Sequence, residues 1–208
     1  MKQFKRVFLI VADSAGIGEE PDAAKFDDVG TNTWVHAAQS VGGIHVPVME
    51  SFGIGELADI PGVKPLHNHP HAFALRLREA SNGKDTMTGH WEMMGVLTTK
   101  PFQTFTDTGF PESLITLLEK ETGHKIIGNY ASSGTEILKV LGEEQMKENS
   151  LIVYTSADSV LQIAAHEGVT GKEELYRCCE LARKTCMAPE YFVGRVIARP
   201  YVGTNKDD

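Results

Sequence analysis

The chain has 208 residues, of which 41 % are hydrophobic and 23 % charged, and these proportions are typical of a globular protein with one large or two small domains. Its net charge of −8 argues against a general nucleic-acid-binding protein, which needs clustered lysine and arginine. Because it has no apolar run of membrane-spanning length, no secretory signal pattern and no cysteine framework, we expect a cytoplasmic protein that contacts neither membrane nor nucleic acid.

The first eighty residues predict two strands and two short helices. Residues 6–12 are continuously apolar, as in a strand buried on both faces of a parallel sheet. Residues 33–39 and 46–52 are predicted helices, and residues 72–78 alternate between apolar and polar side chains like a half-buried strand. Asp13 follows the first strand, where it is either a metal ligand or a turn residue that bonds to its own backbone.

The stretch GKDTMTGHWE, residues 83–92, holds many groups that take part in chemistry. It lies between the predicted strand and an apolar helical pattern, so Thr86 is predicted near a helix N-terminus, where backbone N–H groups favour an anion such as a phosphate. A threonine hydroxyl needs a base or a metal to become a nucleophile. The alternative is that Thr86 or Thr88 only caps the helix.

A polar connector at residues 98–109 suggests a domain boundary, and the chain after it reads as an α/β unit. A helix is predicted after Pro111, ending at Gly123. The later elements are a strand from 125, a helix at 134–146, a strand at 151–155, an apolar run at 160–165 that is helix or strand by composition, a helix at 172–185 and a strand at 191–202.

Five segments, in order, resemble phosphopentomutases of the alkaline phosphatase superfamily. They are DSAGIG at 13–18, GKDTMTGHWE at 83–92, SGTEIL at 133–138, TSADSVLQIAAHE at 155–167 and VGRVIARP at 193–200, and the similarity runs from Lys5 to about Gly203. The resemblance implies the first part of a mostly parallel α/β core sheet in residues 1–100. An inserted α/β cap domain, incomplete at its C-terminal end, would occupy residues 101–208, with 160–165 as a strand.

The resemblance also implies an isomerase that interconverts ribose 1-phosphate and ribose 5-phosphate, and their deoxyribose analogues. Thr86 would be a metal-bound phosphoacceptor that forms phosphothreonine, Asp13 would be a metal ligand, and Lys84 and Asp85 would shape the loop. Two Mn²⁺ ions and a sugar bisphosphate primer complete the implied machinery. Two cations in an oxygen-rich site can stabilise both the attacking and the leaving oxygen of a phosphoryl transfer.

By the same resemblance, Ser156, Asp158 and Arg195 would face the substrate. The planar fork of Arg195 matches phosphate oxygens. The alternatives are an Asx-turn for Asp158 and an exposed strand residue paired with an acid for Arg195. His90 and Glu92 are equally suited to lie on the helix surface or to support the residues that contact the substrate or metal.

One departure from the family pattern decides what we expect of this chain alone. By the resemblance, most metal ligands of the family come from a later set of Asp and His residues that includes an Asp-His-Gly-type segment; no such segment is found here, which leaves Asp13 and Thr86. We therefore expect an incomplete core with exposed apolar faces, and a chain that is inactive by itself. A fragment that binds pentose phosphates without catalysis is the alternative. A cofactor-independent phosphoglycerate mutase is disfavoured because that family generally uses serine as its nucleophile.

Overall fold

The computed structural model describes residues 4–12, 14–67, 70, 72–83 and 85–206. They form two compact units, which divide between Glu79 and Ala80. The two units are defined by how densely their residues pack and are not the predicted domains. The predicted limits of core and cap, 1–100 and 101–208, stay a prediction.

The first unit contains two α-helices, α1 at Thr33–Ser40 and α2 at Pro47–Ser51, which confirm the predicted ones. Asn32 caps α1, since its side chain accepts a hydrogen bond from the Val35 N–H at 3.4 Å. Four buried apolar residues form a small core to which α1 contributes Ala38: Ala38, Ile54, Ile60 and Val63.

The two predicted strands of this unit are wrong for the chain as it stands. Residues 6–12 and 72–78 belong to no strand among the described residues. Their apolar side chains are largely exposed, with Ile10 at 88 % and Phe73 at 91 %. A strand requires a neighbouring strand for its backbone hydrogen bonds. The apolar side chains of these residues indicate a strand, but they do not determine whether a neighbouring strand is present. The expected exposure of apolar surface is confirmed.

The second unit is built on a four-stranded sheet in the order β1-β2-β3-β4. The strands are β1 at Ile126–Ala131, β2 at Leu151–Thr155, β3 at Val160–His166 and β4 at Arg195–Tyr201. Strands β1 and β2 are parallel, β2 and β3 antiparallel, and β3 and β4 parallel. The mixed α/β class with a mostly parallel sheet is confirmed, as is the strand interpretation of 160–165.

Four helices belong to this second unit. They are α3 at Thr86–Met93, α4 at Glu112–Thr122, α5 at Gly134–Glu148 and α6 at Lys172–Cys186. Alternation along β2 separates the two faces of the sheet: Leu151 and Val153 pack in one core with residues of α4 and α6, while Ile152 and Tyr154 pack in the other with Ile137 of α5. The unit therefore has three layers, with helices on both sides of the sheet.

The topology brings the proposed substrate residues to one edge of this sheet. Strand β2 runs towards that edge, and the antiparallel β3 starts there after a loop at 156–159. Because β4 is parallel to β3, with Arg195 opposite Val160, its first residue lies at the same edge. Ser156, Asp158 and Arg195 are thus neighbours despite their separation in sequence.

Candidate functional site

Thr86 is the first residue of α3, and its side chain is exposed. The N-cap of this helix is Asp85, whose carboxylate accepts a hydrogen bond from the Met87 N–H at 2.8 Å. The interpretation of Thr86 or Thr88 as the cap is therefore wrong, because an aspartate one residue earlier fills that position. Thr88 is fully buried, whereas Thr86 is exposed at the positive end of the helix.

Helix α3 is fixed at its C-terminal half by Glu92. The Glu92 carboxylate accepts the Ala80 N–H at 2.8 Å and the Ser81 N–H at 2.7 Å. Hydrogen bonding from the Ser81 hydroxyl, followed by these two amides, lowers the pKa of Glu92. His90 turns back along the helix, where its Nδ1 lies 2.8 Å from the Thr86 carbonyl oxygen. Glu92 therefore holds the preceding segment in place, and His90 binds the backbone of the proposed phosphoacceptor.

An aromatic stack packs α3 against the rest of the second unit. The Trp91 ring meets Phe102 edge to face at a centroid distance of 5.4 Å, and Phe102 stacks on Phe192 at 5.0 Å. Such pairs add to the stabilisation from apolar burial.

Asp158 and Arg195 form an ion pair at the sheet edge. Arg195 Nη2 donates to Asp158 Oδ2 at 2.7 Å, and both side chains are about one-third exposed. Asp158 makes no Asx-turn there; the Ser156 hydroxyl instead accepts the Asp158 N–H at 3.4 Å. The Nε of Arg195 is buried and has no hydrogen-bond partner among the described residues. A guanidinium has five N–H donors, and the hydrogen bond to Asp158 uses one of the Nη2 donors.

A hydrogen bond between backbone and side chain connects the Thr86 helix with the loop that carries Asp158. The Ser159 N–H donates to Asp85 Oδ2 at 2.7 Å. The Ser159 hydroxyl donates to the Gln103 carbonyl oxygen and accepts the Gly194 N–H at 3.0 Å. Ser159 is not among the predicted site residues, and its one signal in the sequence is a small polar residue directly before an apolar strand.

The structure thus brings four of the five predicted site residues into one unit: Thr86, Ser156, Asp158 and Arg195. Asp13, like Lys84, lies outside the described residues, so its role as a metal ligand stays a prediction.

Among the described residues, one group of three side chains could hold a metal ion: His124, Glu174 and Cys178. His124 Nε2 lies 2.9 Å from Glu174 Oε1, and Arg177 Nε donates to Glu174 Oε2 at 2.8 Å. Hydrogen bonding from Arg177 is the main cause that lowers the pKa of Glu174 to about 2, while burial raises that of Cys178 to about 11. A guanidinium already neutralises the carboxylate and the thiol stays protonated, so this cluster is better explained by the Arg177–Glu174 ion pair of α6, whose Arg177 also donates to the Thr122 carbonyl oxygen of α4 at 2.7 Å.

Comparison with known proteins gives the chain close relatives. No family model matches it. Proteins named phosphopentomutase from Clostridium botulinum (strain Alaska E43 / Type E3), Clostridium beijerinckii and Clostridium perfringens (strain 13 / Type A) are 56 %, 54 % and 54 % identical to it over 208 residues.

The chain is similar along its whole length to proteins named phosphopentomutase. The similarity covers 100 % of the chain and 52 % of each of these three relatives, so the chain spans about half the length of the phosphopentomutases it matches. The resemblance of its five motifs to phosphopentomutases is thereby confirmed.

The described residues near Thr86 do not by themselves form the two-metal site implied for phosphopentomutase. The Asp85 carboxylate is engaged by two N–H groups, and the Nδ1 of His90 lies on a carbonyl oxygen. One exposed hydroxyl cannot hold two divalent ions, which require several oxygen or nitrogen ligands each.

None of the helices in the described part of the chain combines the length and the apolarity that a membrane span needs.

Proposed function

We propose that the chain carries the phosphoacceptor and the sugar-phosphate-binding residues of a phosphopentomutase. The complete enzyme would be an isomerase that interconverts ribose 1-phosphate and ribose 5-phosphate, and their deoxyribose analogues, in the cytoplasm. The observation that carries the proposal is the identity of 54–56 % to three phosphopentomutases along all 208 residues.

Thr86 is proposed as the group that accepts and returns the phosphoryl group. Its support is its exposed position at the N-terminus of α3, where the helix dipole stabilises negative charge. Thr88 is the less suitable threonine because it is completely buried. Phosphoryl transfer depends mainly on positioning and on charge stabilisation, and α3 provides a rigid support for both.

Ser156, Asp158 and Arg195 are proposed to bind the pentose phosphate. The guanidinium of Arg195 has further donors besides the one that binds Asp158, and a guanidinium suits phosphate oxygens; the Asp158 carboxylate can accept hydrogen bonds from sugar hydroxyls. The closeness of their loop to Asp85, through the Ser159 N–H, supports a common site with Thr86.

Two Mn²⁺ ions and a sugar bisphosphate primer belong to the proposal for the complete enzyme. Asp13 and Thr86 are the candidates from this chain, and the remaining ligands would come from outside it. We therefore propose that the 208 residues alone do not turn over substrate.

A mutase assay with ribose 1-phosphate, Mn²⁺ and a sugar bisphosphate tests this function. We expect no turnover from the chain alone. Turnover should appear when it is joined to the region of the Clostridium botulinum relative that it does not span, and it should vanish in Thr86→Ala. Full activity of Thr86→Ala in the completed enzyme would refute the role of Thr86. Equal activity of the isolated chain would refute the proposed inactivity.

A second candidate function is binding of pentose phosphates without catalysis. It is favoured by the compact second unit, which contains Ser156, Asp158 and Arg195 together. Titration of the isolated chain with ribose 5-phosphate would shift the NMR signals of the amides next to Arg195. An unchanged spectrum at millimolar ligand would exclude this function.

A further inference from the structure

The carboxylate of Asp85 receives hydrogen bonds from two separate parts of the second unit. Oδ1 accepts the Met87 N–H at 2.8 Å, and Oδ2 accepts the Ser159 N–H at 2.7 Å. The first bond caps α3, while the second joins its N-terminus to a residue 74 positions further along the chain. Since Thr86 follows Asp85 directly, the position of its hydroxyl depends on both bonds.

Ser159 is a rigid anchor for this connection. It is 1 % exposed, and each of its hydrogen-bonding groups has a partner. Besides its N–H on Asp85, its hydroxyl bonds to the Gln103 carbonyl oxygen and the Gly194 N–H, and its own carbonyl oxygen accepts the Arg195 N–H at 3.3 Å. Ser159 therefore holds the loop before β3 and the first residue of β4 in one arrangement.

Close packing around Gly194 restricts the same region further. A Cβ atom at Gly194 would lie 3.0 Å from the Ser159 carbonyl oxygen and 3.4 Å from the Phe102 ring. On the other side, Arg183 of α6 donates from Nη1 to the Val193 carbonyl oxygen at 2.9 Å. The start of β4, from which the Arg195 side chain extends, is thus braced from two directions.

We propose that Asp85 is a positioning residue for phosphoryl transfer, which fixes the Thr86 hydroxyl relative to Asp158 and Arg195 by binding the Met87 and Ser159 amides at once. This inference rests on the proposed function of Thr86. It assigns Asp85 neither a metal ion nor a proton in the reaction, because both carboxylate oxygens already accept backbone N–H groups. The sugar phosphate would bind between the helix N-terminus and the ion pair.

Hydrogen exchange in the 208-residue chain tests the connection itself. Asp85→Ala removes both acceptors, and we expect exchange of the Ser159 amide to accelerate by about tenfold to a hundredfold, as for a lost bond to a charged acceptor. Ser133→Ala is the matched control, since it removes the N-cap of α5 without touching Ser159. An unchanged Ser159 amide in Asp85→Ala would overturn the proposal. Asp85→Asn, which keeps one acceptor oxygen, serves if Asp85→Ala does not fold.

Steady-state kinetics of the completed enzyme tests the effect on the reaction. Asp85→Asn should lower kcat by roughly tenfold or more while KM for ribose 5-phosphate changes by less than about threefold, because misplacement of the reacting group affects the transition state more than binding. The shape of the pH–rate profile should stay the same, because no proton is assigned to Asp85. An unchanged kcat, or a lost limb of the pH profile, would overturn the positioning role.

Thr86→Ala separates the failure of this inference from that of the proposed function. If Thr86→Ala keeps full turnover, the proposed function fails and with it the catalytic meaning of Asp85. If Thr86→Ala is inactive and Asp85→Asn turns over like the unmodified enzyme, only the positioning role is overturned.

Discussion

Gly109 is the position at which a single added methyl group should do the most identifiable damage. Its φ of +69° lies in the left-handed region, and a Cβ built on it would come 2.2 Å from the Asn129 carbonyl oxygen. Asn129 lies in β1, and its side chain makes two hydrogen bonds to Phe110, accepting the N–H at 2.7 Å and donating to the carbonyl oxygen at 2.9 Å. The connector before α4 is therefore held against β1 with no room for a side chain at residue 109.

Gly109→Ala should destabilise the second unit by about 3–4 kcal/mol. Left-handed backbone costs an L-residue about 1–2 kcal/mol. Relief of the clash must separate residue 109 from β1, which stretches or breaks both Asn129–Phe110 hydrogen bonds at about 1 kcal/mol each. Phe110 itself is 3 % exposed and lies in the main core, so it cannot follow the displaced connector without cost.

Gly123 supplies the matched control. It caps α4 with a φ of +77°, yet an added Cβ would have no atom within 4 Å. Gly123→Ala should therefore show the backbone term alone, about 1–2 kcal/mol. Urea unfolding followed by the fluorescence of Trp91, with Trp34 replaced by phenylalanine, measures both variants. Equal losses of stability in the two variants would refute the contact between Gly109 and Asn129.

Two further predictions concern titratable groups. Because the folded-state pKa of Glu174, about 2, lies below its ordinary value of 4.5, ionised Glu174 stabilises the fold above pH 4.5, and this contribution is lost as the pH falls towards 2. Acid unfolding followed by circular dichroism should therefore begin at a higher pH in Glu174→Gln than in the control variant Glu136→Gln. The control removes a carboxylate that forms an exposed pair with Lys139. Equal unfolding midpoints in the two variants would contradict the stabilising role of ionised Glu174. Burial raises the pKa of the Cys179 and Cys186 thiols to about 12 and that of Cys178 to about 11, so all three should react with an aromatic disulfide at pH 8 at least tenfold more slowly in the folded chain than in urea. Rapid labelling of one thiol in the folded chain would refute its burial.

Helices were predictable from the sequence because their signals are local. The helix at Glu112–Thr122 follows a proline and ends at a glycine with positive φ, and its apolar side chains recur at helical spacing. The buried strand β2 was equally predictable from its continuous apolar run, and all five of its residues are buried. In these elements the local preference and the tertiary environment agree.

Strand predictions failed where the sequence favours a strand but does not specify the neighbouring strand that would pair with it. Residues 6–12 and 72–78 have the composition of strands, but no strand pairs with them among the described residues. The closing strand was predicted from residue 191 and starts at Arg195 instead. Phe192 has a φ of +35° and Gly194 packs on Ser159 and Phe102, so the residues before Arg195 turn to meet the site rather than extend.

Only the residues of the candidate site that would act through their side chains could be predicted from the sequence. Thr86, Asp158 and Arg195 follow from the motifs, but Ser159 contributes through its backbone N–H as well as its hydroxyl, and a backbone contact leaves no signature in residue type. Whether Asp85 or Thr86 is the N-cap also depends on a shift of one residue in where the helix begins. That register is set by which side chain accepts the Met87 N–H, and aspartate is the better cap.

The position of Ser159 follows from where the sheet ends. Amides inside a strand are used by the ladder, so a carboxylate that approaches the sheet edge can bind only an amide just outside it. Strand β3 begins at Val160, whose N–H bonds to the Asp158 carbonyl oxygen at 2.9 Å, and Ser159 precedes it. The Ser159 N–H is thus left free to meet Asp85, one residue from Asp158 and directly opposite the start of β4. The same geometry therefore gives the N-terminus of α3 a fixed attachment point beside Asp158 and Arg195.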